Sequence, residues 1–159
     1  MELRRIAYHE AGHAVMAILQ RRRLLSVTIE PSSTDIVPGH TQTSKVRVYD
    51  SDYKGYRPPS EFRKEICIDL AGPIAEQIGM SEKKVGGHCT NDIIKASALS
   101  VIMTGGHVER ASIAFEEIKE EVEQVLKNNW QAVGSVVSAL LDKDTLTGHQ
   151  VRQIVKSHE

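Results

Sequence analysis

Cysteine is scarce in this chain: Cys67 and Cys89 are the only two among 159 residues. Two thiols do not build a disulfide framework, so a small secreted scaffold stapled by bridges is excluded. Long apolar runs are missing as well. No stretch reaches the roughly eighteen residues that mark a membrane helix, and Glu2, Arg4, Arg5 and His9 interrupt the start where a signal peptide would be apolar. Neither charge is in excess, since the formal net charge is −1 and the pI about 6.7. The basic clusters Arg4-Arg5, Arg21-Arg22-Arg23 and Lys83-Lys84 are short and read as solvated helix ends. That leaves no electrostatic case for a nucleic-acid partner. There is no internal repeat, no low-complexity segment and no G-x-x-x-x-G-K-[ST] phosphate loop. The expectation is a soluble, cytoplasmic protein with free thiols and no membrane insertion. Its length suits one domain, residues 1–159, with a self-sufficient core.

What is present is mostly helical periodicity. Glu2 to about Gln20 reads as a first helix, apolar nearly all round. Leu24 to Glu30 alternates with β-branched residues and stops at Pro31, as a strand does. His40 to Val48 reads as a second, more polar strand suited to a sheet edge. Ser60 is the expected N-cap of a second helix with Phe62, Ile66, Leu70, Ile74 and Ile78 at helical spacing, and Pro73 is expected to kink it. A glycine-bearing loop from Met80 to Cys89 leads to a third helix, capped by Thr90 and ending near Thr104 before Gly105-Gly106. One long helical stretch is expected from about Val108, with Val122, Val125, Leu126, Trp130, Val133, Val137, Leu140 and Leu141 on a shared face. Thr147 and Gln150 form a capping box for a short last helix. The fold class is mainly α with a small sheet of two or three strands.

The first helix contains His9-Glu10-Ala11-Gly12-His13, an H-E-x-x-H pattern. Histidines at i and i+4 share a helix face, so both imidazoles can meet one metal ion. The intervening Glu10 can take a proton from a metal-bound water. The competing interpretation is a helix that happens to carry two histidines. Its apolar flanks (Ile6, Ala7, Ala11, Ala14, Val15) oppose that, because ionisable groups on a buried helix need partners. A catalytic zinc takes a third protein ligand. The metzincin extension would place glycine at 15 and histidine at 19, where this chain has Val15 and Leu19. Spacing leaves Asp69, Glu76, Asp92, His40, His88, His107 and His149 as candidates, and Asp92 is equally explained as a helix-dipole partner. Cys89 stays open to a metal-linked or reactive role.

Tyr8-His9-Glu10-Ala11-Gly12-His13-Ala14 resembles the signature of the peptidase domain of FtsH-type ATP-dependent zinc proteases. The resemblance continues in order through Val27-Thr28-Ile29-Glu30-Pro31, Gly39-His40-Thr41, Ala71-Gly72-Pro73-Ile74-Ala75-Glu76, Thr90-Asn91-Asp92-Ile93 and Leu141 to Gly148. It implies a zincin-like helical domain with Zn2+ held by His9, His13 and Asp92, Glu10 as general base, and Glu76 supporting the metal. It implies further that Gly39, His40, Thr41, Gln42 and Thr43 lie on the strand edge where an extended substrate adds. Pro73 stands where the family usually has arginine, and the segment around Gly105-Gly106-His107 is shorter than its counterpart. With eight residues before His9, the expectation is a stand-alone peptidase without the family's ATPase module or membrane helices.

The leading interpretation is therefore a zinc-dependent endopeptidase of H-E-x-x-H type, acting without ATP on flexible or unfolded polypeptides. Its partners would be the polypeptide substrate, and a separate ATPase or a homo-oligomer. The alternative is a metal-binding interaction or adaptor protein that keeps the peptidase fold without proteolysis. A helical scaffold with no metal is the third.

Overall fold

The computed structural model describes residues 2–31, 39–43 and 59–159. Its elements are α1 (Leu3–Leu19), β1 (Leu24–Thr28), β2 (His40–Thr43), α2 (Pro59–Gly79), α3 (Thr90–Met103), α4 (Val108–Asn128), α5 (Trp130–Lys143), β3 (Thr145–Thr147) and α6 (Gly148–Ser157). A single turn of 3-10 helix, Gly87–Cys89, leads into α3. The class is mainly α with a three-stranded antiparallel sheet in the order β2-β1-β3. Among the described residues, no helix is long and apolar enough to cross a membrane.

Helix α1 sits at the centre and packs against α2, α5, α6 and the sheet. Ala7, Ala11, Ala14, Val15, Met16 and Ala17 are fully buried, as its all-round apolar sequence requires. Its contact with α2 is unusually close, because Gly12 faces that helix. A Cβ at Gly12 would lie 2.3 Å from the Ala71 carbonyl oxygen. Small residues there let two backbones approach as larger side chains would forbid. Val27 of β1 and Leu146 of β3 are opposite one another and buried, closing the core beneath the sheet. The expected edge position of the second strand holds over His40–Thr43; its continuation to Val48 lies outside the described residues.

Three expectations are corrected, and one strand is added. The long stretch after Val108 is two helices, broken at Asn129 (φ −113°, ψ 21°), whose side-chain amide donates to the Val125 carbonyl at 2.8 Å. The break lets α4 cover α2 and α3 while α5 turns back onto α1. Residues Thr145–Thr147, of which sequence places only Thr147, as the cap of the last helix, form β3 and pair with β1. Helix α2 starts at Pro59, so Ser60 lies inside the first turn rather than before it. Thr90 is the first residue of α3, and its hydroxyl donates to the Gly87 carbonyl instead of capping the helix. The capping box of α6 is present: Gln150 N donates to Thr147 Oγ1 at 3.2 Å, and Thr147 N to Gln150 Oε1 at 2.8 Å.

Candidate metal centre

The face of α1 that carries His9 and His13 looks across at α2 and the start of α3. Both rings are pinned from behind. His13 Nδ1 donates to the Ile68 carbonyl at 2.7 Å, and His9 Nδ1 donates to Glu76 Oε2 at 3.0 Å. With Nδ1 carrying hydrogen in each ring, the two Nε2 atoms turn their lone pairs inward, 3.1 Å apart. Asp92 Oδ2 completes the group at 3.0 Å from His9 Nε2 and 3.6 Å from His13 Nε2. Three acceptors this close repel unless positive charge lies between them. Tetrahedral zinc with bonds near 2.0–2.1 Å would space such donors by roughly 3.3 Å, so the three fit that ion.

The same contacts shift the proton affinities of all three groups. Burial opposes a charge on His9, but hydrogen bonds to Asp92, Cys89 and Glu76 outweigh it and push the group up to about 12. Burial likewise opposes a charge on His13, yet Asp92 raises it. Asp92 would be raised by burial, but His13 and His9 hold it well below the usual carboxylate range. Each of these shifts comes in part from the close approach of Asp92 to the two rings.

Gly72 is what allows His13 to lie here, since a Cβ at that position would sit 2.2 Å from His13 Nε2. Glu10 is buried at 6% exposure, and its Oε2 accepts from Thr41 Oγ1 at 2.6 Å. Gly39, with φ of +98°, passes so close that a Cβ would be 2.9 Å from Glu10 Oε1. The edge strand β2 thus borders the glutamate directly. Gln42 on that strand is exposed and Thr43 half-buried; the side chains of His40 and His88 lie outside the described set.

The other candidates go elsewhere. Asp69 accepts from Lys95 Nζ at 2.8 Å, and burial raises it despite that lysine. His107 and His149 are exposed and belong to neither cluster of metal-ligand side chains found among the described residues. Glu76, only 1% exposed, stands behind His9 rather than beside the inward-facing nitrogens. Cys89 Sγ is 3.4 Å from Glu76 Oε2 and 3.7 Å from His9 Nδ1, on the rear of that ring, and burial raises its thiol. Arg5, one helical turn before His9, meets Glu76 and Glu82. Sequence reading assigned Arg5 no role beyond a solvated basic pair. Its i, i+4 spacing to His9 was the available signal.

Two imidazoles and a carboxylate converging beside a buried glutamate make a donor set able to hold a metal and activate water. The profile of peptidase family M41 matches residues 1–107, and the chain belongs to that family. It is 26% identical to the ATP-dependent zinc metalloprotease FtsH of Leptotrichia buccalis, covering 97% of this chain and 23% of the relative. Proteins of the same name from Opitutus terrae (27% identity, 96% of this chain, 28% of the relative) and Helicobacter pylori strain J99 (26%, 97%, 29%) are also similar. The chain thus spans about a quarter of the length of the curated relatives it matches.

Proposed function

We propose that this chain is a zinc-dependent endopeptidase that cleaves flexible or unfolded polypeptides, with His9, His13 and Asp92 holding the metal. The observation that carries the reading is the inward pairing of two Nε2 atoms with Asp92 Oδ2, each ring fixed from behind. When bound, zinc would acidify a water and polarise a peptide carbonyl. Glu10 takes the water's proton on its carboxylate and returns it to the leaving amine. Thr41 holds that carboxylate, and Gly39 with β2 (His40–Thr43) receives the substrate main chain as an added strand. Strand addition uses backbone groups that a folded target has already paired, so the substrate must be extended. These 159 residues carry no phosphate-binding loop, and hydrolysis by them is proposed to need no ATP. A cytoplasmic setting suits the two free thiols, Cys67 and Cys89.

The test is zinc content together with casein or peptide hydrolysis, for wild type, Asp92→Ala and Glu10→Gln. Wild type should hold one zinc per chain, and Asp92→Ala should lose most of it. Glu10→Gln should keep zinc yet lose at least about 100-fold in kcat, because the amide cannot accept the proton. Full zinc on Asp92→Ala would refute the ligand set. Zinc on wild type with no turnover would instead favour the metal-binding interaction protein.

A further inference from the structure

Behind the candidate metal group lies a run of charged side chains whose outer part, Arg5 and Glu82, none of the steps above uses. Arg5 Nη1 meets Glu76 Oε1 at 2.7 Å and Glu82 Oε2 at 3.0 Å, while its Nη2 meets Glu82 Oε1. Glu76 in turn offers Oε2 to His9 Nδ1 at 3.0 Å. The order from outside inward is therefore Glu82, Arg5, Glu76, His9. Glu82 is 34% exposed, Arg5 21% and Glu76 1%, so the run descends from solvent into the core.

We propose that Arg5 is a positioning residue of the metal centre: it clamps the Glu76 carboxylate, which aims His9 Nε2 at the ion. The proposal rests on the zinc reading given above. A carboxylate shut away from water is costly unless a cation and hydrogen bonds compensate it. Among the described residues Arg5 is a cation on it, and its planar guanidinium, held by both oxygens of Glu82, keeps a fixed orientation. One carboxylate oxygen meets Arg5, and the other meets His9 Nδ1 at 3.0 Å and, at 3.4 Å, the Cys89 thiol. His9 Nδ1 then has a fixed acceptor, and that bond decides which ring nitrogen keeps its lone pair for a metal. Because Arg5 and His9 are four residues apart on α1, the clamp and the ligand move as one body. Glu82, just beyond the end of α2, holds the guanidinium from the far side. A surface pair such as Lys127 with Glu123 has no comparable consequence, since neither group touches a candidate ligand.

The experiment measures zinc affinity of the full chain by competition with a chromophoric chelator, for wild type, Arg5→Met, Glu76→Gln and the double variant. Wild type is titrated first. Failure to bind zinc there sinks the metal reading itself, and this proposal with it, before any variant is considered. Arg5→Met is expected to weaken zinc about 10-fold, the lower end for groups that orient a ligand. The double variant should be no weaker than Glu76→Gln alone, because Arg5 acts through that carboxylate. Arg5→Lys, which keeps the charge without the fork, should recover part of the loss. The visible spectrum of the cobalt-substituted protein should shift in Arg5→Met and return toward wild type in Arg5→Lys. Affinity within twofold of wild type for Arg5→Met, or losses that add in the double variant, would overturn the proposal. Should Arg5→Met not fold, Glu82→Gln takes its place. It loosens the guanidinium while leaving Glu76 and His9 intact, and unchanged affinity there would equally overturn the role of the clamp.

Discussion

The contact of α1 with α2 and the packing of α4 and α5 onto the rest of the molecule are built by opposite means. Gly12 and Gly72 bring α1 and α2 together almost backbone to backbone, and that contact holds the buried His13 and Glu76, with the buried Glu10 beside it facing Thr41. Helices α4 and α5 bury Ile118, Val122, Leu126, Val133, Val136 and Leu140, with no charged side chain among the buried residues of either helix. Each buried polar group in the first contact needs its own partner, and the partners found there (Ile68 O, Arg5, Thr41, Asp92) are specific. The second region needs only apolar area removed from water, at roughly 25 cal/mol per Å2. The difference separates two tasks: α4 and α5 supply stability, and the α1–α2 contact uses part of it to hold ionisable groups in place.

Leu126→Ala should give the largest effect and the sharpest separation. Leu126 is fully buried on α4. Truncation should cost about 2–5 kcal/mol of stability through lost burial and the cavity left behind. Zinc affinity of the folded protein should stay within twofold, because no candidate ligand lies on that helix. Urea unfolding at fixed free zinc, paired with chelator competition, reads both quantities. A parallel fall in zinc affinity would show that the two regions are not separable.

Gly72→Ala makes the converse change. A methyl group there would overlap the His13 ring, with 2.2 Å to Nε2 and 2.5 Å to Cε1. The ring cannot retreat without giving up its 2.7 Å bond to the Ile68 carbonyl. Zinc affinity should fall about 100-fold, near 2.7 kcal/mol, the scale seen when the groups that orient a ligand are lost. Wild-type affinity in Gly72→Ala would mean that His13 has room to move, and that the close contact is not what places it.

These two regions also differed in how far they could be read in advance. The helices α1 and α6, the capping box at Thr147 and the edge position of β2 are local patterns, and each is legible as a run of residues. The break at Asn129 was not, because apolar residues continue at helical spacing on both sides of it. Asn129 closes the first helix there, and the turn of α5 back onto α1 fixes the new direction. β3 is three residues long, too short for alternation to register. In the site, the i, i+4 pair on α1 was visible, whereas spacing left Asp69 and Asp92 undecided. What separates them is tertiary: Lys95 engages Asp69, and the start of α3 brings Asp92 to the two rings. The 71-residue separation of Arg5 from Glu76, and the 31 between Thr41 and Glu10, leave no periodic trace at all.

The smallest expected effect tests whether room, rather than glycine as such, distinguishes the two regions. Gly134 lies inside α5, and a Cβ built there meets nothing within 4 Å. Glycine in a helix interior is less favourable than alanine by about 0.5–1 kcal/mol, chiefly because the unfolded chain keeps more freedom. Gly134→Ala should therefore stabilise the protein by about that amount and leave zinc affinity unchanged. The same substitution at Gly12 sets a Cβ 2.3 Å from the Ala71 carbonyl oxygen, a backbone atom that no rotamer change can move aside. There α1 and α2 must separate, and the sign reverses. Urea midpoints for the two variants settle the matter. If Gly134→Ala destabilises as Gly12→Ala does, α5 tolerates no added volume either, and the contrast between a closely fitted site and an ordinary apolar packing face disappears.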